Sequence, residues 1–170
     1  RVEMLVLNSI FGDDRMLRFA IGIFDYARRN DGFVPMNFPS RYIQDSATYS
    51  LCWATMLGDY ALWHGANKFL RSRIPGVRHT LSAVAAYENE EGLLIDPPGW
   101  SFMDWVPEWK AGVAPDGLTG HGVNAEHNLF WILAMQSVAK TERALGNELQ
   151  AKYWEEKIEK LDASLDESFG

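Results

Sequence analysis

The chain has 170 residues and an apolar content of 47%, which is typical of a packed globular protein and excludes disorder as the overall class. Its 16 basic and 23 acidic side chains leave a net charge of −7. This balance argues against nucleic acid or an anionic membrane surface as a partner, because no basic field is available for phosphate groups. No apolar run approaches the ~18 residues that a membrane-spanning helix needs.

Apolar spacing predicts six helices and no segment with sustained two-residue alternation, so an all-α fold is expected. In chain order the helices cover residues 2–11, 14–29, 46–63, 67–88, 123–145 and 148–167. Three junctions, "FGDD", "HGAN" and "LGNE", place a glycine where a helix ends and a short polar residue where the next one begins. Each junction therefore predicts a helical hairpin, and the chain contains three of them.

The connections between hairpins are long, about residues 30–45 and 89–122. Alternate connections of an up-down array emerge at opposite ends, so both long loops are predicted to share one face. Loops of this length without regular structure are usually functional or disordered. These loops are rich in aromatic residues and contain few runs of charge, which favours function.

The third and fifth helices are apolar around much of their circumference, whereas the second, fourth and sixth have a charged face. This difference predicts an inner and an outer layer, as in an α/α toroid or an α-solenoid. Three hairpins make half of a closed six-hairpin toroid. Because the sequence opens and closes inside helical patterns, we interpret residues 1–170 as a single partial domain of a longer polypeptide.

The second long loop contains the segment "PPGWSFMDWVPEW", residues 97–109. Its tryptophans can plug the end of the helical array or form a platform for a sugar, whose axial-hydrogen face is nearly apolar. Asp104 lies between Trp100 and Trp105 and is expected to be desolvated by them. Glycoside hydrolysis needs two carboxyl groups, and the spacing of the loop acids selects no pair. A binding role is therefore favoured for Asp104 over a catalytic one.

Other candidate residues lie near the ends of the inner helices. His121 precedes the fifth helix and is expected to reach a ligand on the loop face. Trp53, near the start of the third helix, is predicted either to face the centre of the array or to pack in the core. Cys52 beside it is expected to be a small buried side chain. The spacing of Glu126 and His127 does not suit zinc, and no nucleotide-binding or CxxC motif occurs, so neither a metal nor a cofactor is expected.

Several segments together resemble the catalytic domain of bacterial α-L-rhamnosidases, glycoside hydrolase family 78. They are "GDDRMLRFAI", "PSRYIQDSATYSLCWATMLGDYALWHG", "FLRSRIPGVRHTL", "EEGLL", "WSFMDWV" and "ALGNELQAKYWEEKIEKL". The resemblance implies an (α/α)6 toroid, inversion at the anomeric carbon and a pocket for a terminal rhamnose. It also implies that Trp100, Asp104 and Trp105 match the loop that lines rhamnose, and that Trp53 matches an aromatic wall of the pocket.

The same resemblance places the general acid upstream of Arg1 and the general base beyond Gly170, so no catalytic residue is expected within this chain. The leading hypothesis is a part of an inverting rhamnosidase that binds carbohydrate. The alternative is a solenoid module that binds a protein partner through its concave surface. Helices at the edges of a partial toroid expose apolar faces, which predicts self-association.

Overall fold

A computed structural model describes residues 1–114 and 123–169 as two layers of helices. The six α-helices are α1 (Val2–Phe11), α2 (Arg15–Ala27), α3 (Ala47–His64), α4 (Lys68–Ala85), α5 (Ala125–Ala144) and α6 (Glu148–Phe169). A 3-10 turn covers Lys110–Gly112, and β-pairing within the described ranges is limited to isolated bridges. The all-α prediction is confirmed. None of these helices is long and apolar enough to cross a membrane.

Short turns join α1 to α2, α3 to α4 and α5 to α6, and each turn contains one of the three glycines predicted from the sequence. Asn67 caps α4, because its side-chain oxygen accepts a hydrogen bond from the backbone N–H of Leu70 at 3.1 Å. Asn124 caps α5 in the same way through the N–H of His127 at 3.0 Å. α4 and α5 therefore begin where a local side chain satisfies one of their first free N–H groups.

Two helices end earlier than the periodicity predicts. The sequence pattern extends α2 to residue 29 and α4 to residue 88, whereas the helices end at Ala27 and Ala85. Arg28 is already extended, and the backbone N–H of Arg29 donates to the carbonyl of Phe33 at 3.0 Å. The first residues of both long loops are thus held by loop contacts rather than by the helix.

α3 and α5 form the inner layer and pack closely against each other, while α4 and α6 cover them from outside. The closest approach is at Gly58, where a Cβ atom would lie 2.8 Å from Cβ of Ser137. Trp131 of α5 is fully buried and contacts Trp154 of α6 edge to face, with ring centroids 6.1 Å apart. Large side chains and one close backbone approach together fill the space between the layers.

A buried ion pair connects α4 of the outer layer to α5 of the inner layer. Glu142 of α5 is fully buried, and the Arg78 guanidinium donates to both of its oxygens at 2.6 and 2.7 Å. The side chain of Asn147 donates to the same carboxylate at 2.8 Å. Because each oxygen of Glu142 is hydrogen-bonded, the buried charge is compensated, and the turn between α5 and α6 is fixed to α4.

α1 lies beside α3 but leaves a long apolar stripe in solvent. The Arg1 guanidinium bonds Asp59 of α3 at 2.6 and 3.0 Å. Along the outer side of α1, Val2, Val6 and Ile10 recur every four residues and are 70%, 50% and 65% exposed. This stripe is continuous along one face of the helix, so one edge of the described array is uncovered.

Candidate functional site

The two long loops meet at the ends of α2 and α3, which places them on one face of the array. The backbone N–H of Trp100 donates to the carbonyl of Asp45 at 2.7 Å, and Ser46 and Gly99 form an antiparallel bridge. Gly99 has a φ of 97°, and a Cβ atom there would lie 2.4 Å from the Asp45 carbonyl oxygen. Only glycine permits this approach, so the contact joins the two loops at one point.

Three aromatic rings project from this junction, and we call Trp100, Phe102 and Trp105 the aromatic cluster. Their ring centroids are 4.7 Å apart for Trp100 and Phe102, 5.1 Å for Phe102 and Trp105, and 6.0 Å for the two tryptophans. The rings are tilted or edge-on to one another, as the aromatic quadrupole favours. Trp105 is 71% exposed, while Trp100 and Phe102 are half-buried. The cluster therefore exposes the indole of Trp105, which packs on the half-buried rings of Trp100 and Phe102.

Residues 111 and 112 of the same loop support the aromatic cluster. The indole N–H of Trp100 donates to the carbonyl of Ala111 at 3.0 Å. The carbonyl of Gly112 accepts the backbone N–H of Met103 at 2.8 Å, and a Cβ atom at Gly112 would lie 2.5 Å from the Phe102 ring. Contacts within residues 100–112 thus support the cluster in addition to the bond between Trp100 and Asp45.

Asp104 is placed beside the cluster but is exposed. One of its carboxylate oxygens accepts the backbone N–H of Trp105 at 2.7 Å. The prediction that the flanking tryptophans desolvate Asp104 is wrong, because Asp104 is exposed while both indole rings contact Phe102. An exposed carboxylate next to an exposed indole still provides a hydrogen-bond acceptor at the edge of an aromatic surface.

Trp53 lies away from the cluster, in the wall of a separate cleft. The side chain is only 2% exposed, and its indole N–H donates to the carbonyl of Ile21 at 3.1 Å. The cleft has a volume of about 410 Å³ and is also lined by Met36, Tyr49 and Cys52. Cys52 is partly exposed here instead of fully buried, and burial raises the pKa of its thiol. The structure therefore does not bring Trp53 together with Trp100 and Trp105.

His121 lies outside the described residues. His127, which the sequence places near it, is buried with 3% of its surface exposed at the start of α5. Burial lowers the pKa of His127, against the opposing effect of Glu126 and Asp96. The imidazole is therefore favoured in its neutral form, as a buried group of the α5 N-terminus.

Sequence reasoning missed Phe102 and Arg29. Phe102 forms the middle of the aromatic cluster, and its signal is its position between two tryptophans in "WSFMDW". Arg29 contacts Asp45, whose carbonyl oxygen holds Trp100. An arginine after a helix end has no local pattern that points to a loop sixty or more residues away, so this link is visible only in the fold.

Antiparallel helical hairpins in two layers, with long aromatic loops meeting on one face, are the architecture expected of part of an α/α toroid. The chain belongs to the family described as the bacterial alpha-L-rhamnosidase 6 hairpin glycosidase domain, whose sequence profile matches residues 1–170. The predicted family and fold are confirmed. The chain is thus part of a six-hairpin domain of the bacterial alpha-L-rhamnosidase type.

A solved structure shares this fold. The GH78 family rhamnosidase of Bacillus sp. GL1 superposes with a TM-score of 0.77 at 21% sequence identity. The similarity covers 95% of this chain and 16% of the Bacillus chain. No curated protein sequence matches the chain significantly. At this identity the superposition supports the architecture, and the chain spans about one sixth of the Bacillus protein's length.

Proposed function

We propose that the chain binds the terminal α-L-rhamnose of a glycoside, as one part of an inverting exo-glycosidase. The observation that carries the proposal is the exposed aromatic cluster at the meeting point of the two long loops. Membership of the rhamnosidase domain family supplies the substrate class. Trp100, Asp104 and Trp105 form the proposed binding surface. Trp53, in its separate cleft, and His121, on the second loop, are proposed as further substrate contacts.

The chemistry of the aromatic cluster suits a deoxy sugar. Rhamnose has a methyl group and a nearly apolar ring face, which favour contact with the exposed indole of Trp105. Its hydroxyl groups need polar partners at the ring edge, and the Asp104 carboxylate lies one residue from that indole. A flat apolar surface with an acceptor beside it distinguishes the two sides of a pyranose.

In this proposal the groups that cleave the bond belong to other parts of the enzyme. An inverting mechanism places an acid and a base ~6.5–9.5 Å apart so that water attacks the anomeric carbon opposite the leaving oxygen. The chain then binds and orients the sugar without transferring a proton. Asp104 is exposed and lies beside the cluster, which supports an acceptor role for its carboxylate.

Calorimetric titration with L-rhamnose tests the proposal. We expect Trp105→Ala to weaken binding about tenfold, because an exposed aromatic contact is lost while the fold is kept. Trp63→Ala is the matched control, since Trp63 is also a half-exposed tryptophan (51%) but lies at the opposite end of α3. Binding that is absent, or equally weakened by both substitutions, would contradict the proposal.

A further inference from the structure

Arg29 lies just after α2, where the outer layer meets the first long loop. Its Nη2 and Nε atoms donate to the carboxylate of Asp31 at 2.7 and 3.1 Å, while Nη1 contacts the carboxylate of Asp45. The Arg29 and Asp45 side chains are 33% and 32% exposed, so both charges are largely shielded from water. One guanidinium therefore holds two acids from different parts of the same loop.

Asp45 connects this ion pair to the aromatic loop. Its side chain contacts Arg29, and its main-chain carbonyl accepts the N–H of Trp100 at 2.7 Å. The missing side chain of Gly99 lets the two chains approach, since a Cβ atom there would lie 2.4 Å from the same carbonyl oxygen. The position of Trp100 thus depends directly on the position of the Asp45 peptide group.

We propose that Arg29 is a positioning residue for the aromatic cluster, because it holds Asp45 and so fixes the carbonyl that anchors Trp100. The consequence for sugar binding rests on the function proposed above, whereas the anchoring of Trp100 does not. The planar guanidinium of Arg29 has five N–H donors and bonds two carboxylates at once. The ammonium group of a lysine does not reproduce this geometry. Arg29 acts through Asp45 and touches no part of the cluster itself.

The electrostatics of the loop agree with this arrangement. Burial would raise the pKa of Asp31, but the Arg29 guanidinium and the Phe33 N–H outweigh it and lower the pKa below its usual value. The pKa of Arg29 is raised, chiefly by its hydrogen bond to Asp31 and further by Asp45. Arg29 and Asp31 are therefore charged at neutral pH, and their contact is an ion pair rather than a neutral hydrogen bond.

Amide hydrogen exchange of Trp100 measures the anchoring without any sugar. In Arg29→Gln we expect the Trp100 amide to exchange about five- to tenfold faster, because the loop junction opens more often. The core amide of Met135 in α5 should keep its wild-type rate. Asp45→Asn, which preserves the size of the side chain, should show the same pattern, and Arg29→Lys should lie between wild type and Arg29→Gln.

Arg15→Gln is the matched control. Arg15 is the first residue of α2, the helix that precedes Arg29, and it pairs with Asp13, but its side chain is 81% exposed. A Trp100 exchange rate that is unchanged in both Arg29→Gln and Asp45→Asn would overturn the proposal. Equal acceleration at Trp100 and Met135 would also overturn it, because the arginine would then stabilise only the whole fold.

Titration of the same variants with L-rhamnose separates this inference from the proposed function. We expect Arg29→Gln to weaken binding about fivefold and Arg15→Gln to leave it unchanged. If wild-type protein does not bind rhamnose, the proposed function fails, and the exchange experiment still decides the role of Arg29. If Trp100 is released but affinity is unchanged, the anchoring stands and its predicted effect on the sugar is refuted.

Discussion

Gly112 is the residue on which the shape of the aromatic cluster depends most directly. Its φ is 70°, and a Cβ atom would lie 2.5 Å from the Phe102 ring and 2.9 Å from the Asp104 carbonyl oxygen. A methyl group at this position has to displace the ring or the backbone. We therefore expect Gly112→Ala to reduce the near-ultraviolet circular dichroism of the cluster and to weaken rhamnose binding about tenfold.

Gly146→Ala provides the control for this substitution. Gly146 also has a positive φ, 81°, but a Cβ atom there would have no neighbour within 4 Å. The two alanines thus share the backbone strain of about 1 kcal/mol and differ in the steric clash. If both variants bind rhamnose like wild type, the packing of Gly112 against Phe102 does not shape the binding surface.

The sequence predicted the members of the aromatic loop better than their surroundings. Trp100, Asp104 and Trp105 were identified because tryptophans and a carboxylate lie close together on a proline-rich loop, a pattern that is visible in the sequence itself. The exposure of Asp104 was not predicted, and the sequence left open whether Trp53 packs in the core or faces the centre of the array. The indole of Trp53 is fixed by the Ile21 carbonyl of another helix, which no local pattern encodes.

The helices themselves were predictable because their signals are local. Apolar spacing and glycine turns act within a few residues, and all six helices form where these signals occur. The ends of α2 and α4 were placed too late, because loop contacts replace helical hydrogen bonds there. Arg29 bonds Phe33, and Asn89 bonds Leu93, both through main-chain groups of the long loops.

The contact between α3 and α5 sets the spacing of the inner layer. A Cβ atom at Gly58 would lie 2.8 Å from Cβ and 3.1 Å from the carbonyl oxygen of Ser137. We expect Gly58→Ala to lower the free energy of unfolding by about 1–3 kcal/mol, because the helices have to separate or the side chain has to shift. Thermal or chemical denaturation followed by far-ultraviolet circular dichroism measures the change.

A second substitution distinguishes overpacking from a loss of helix propensity. Replacing Ser137 by glycine removes the nearest atom, so Gly58→Ala combined with Ser137→Gly should recover part of the lost stability. Gly22→Ala in α2 is the control, because no atom lies within 4 Å of a Cβ there and alanine favours a helix. A Gly58→Ala variant as stable as wild type would contradict the close approach of the two helices.

The three hairpins described here form an open array within a family of six-hairpin domains. The apolar stripe of Val2, Val6 and Ile10 on α1 follows from this openness, since no described element covers it. Exposed apolar stripes of this kind favour association. We expect the 170-residue chain to self-associate in sedimentation velocity, with a sedimentation coefficient that rises with protein concentration.

Charge on the stripe should weaken this association. We expect Val6→Lys combined with Ile10→Lys to shift the protein toward monomer, because two ammonium groups are then placed on each contact surface. Tyr42→Lys is the control, since Tyr42 is 71% exposed but lies on the first long loop. A chain that sediments as a monomer at every concentration would refute self-association through the apolar stripe of α1.

The most direct test of the account is to follow tryptophan indole N–H signals by NMR during titration with L-rhamnose. Two of the loop's three tryptophans, Trp100 and Trp105, lie in the proposed binding surface, whereas Trp131 and Trp154 are buried in the helical core. The account predicts saturable shifts for the loop pair and unchanged signals for the core pair. Signals that do not move, or that all move equally, would contradict the claim that the aromatic cluster binds the sugar.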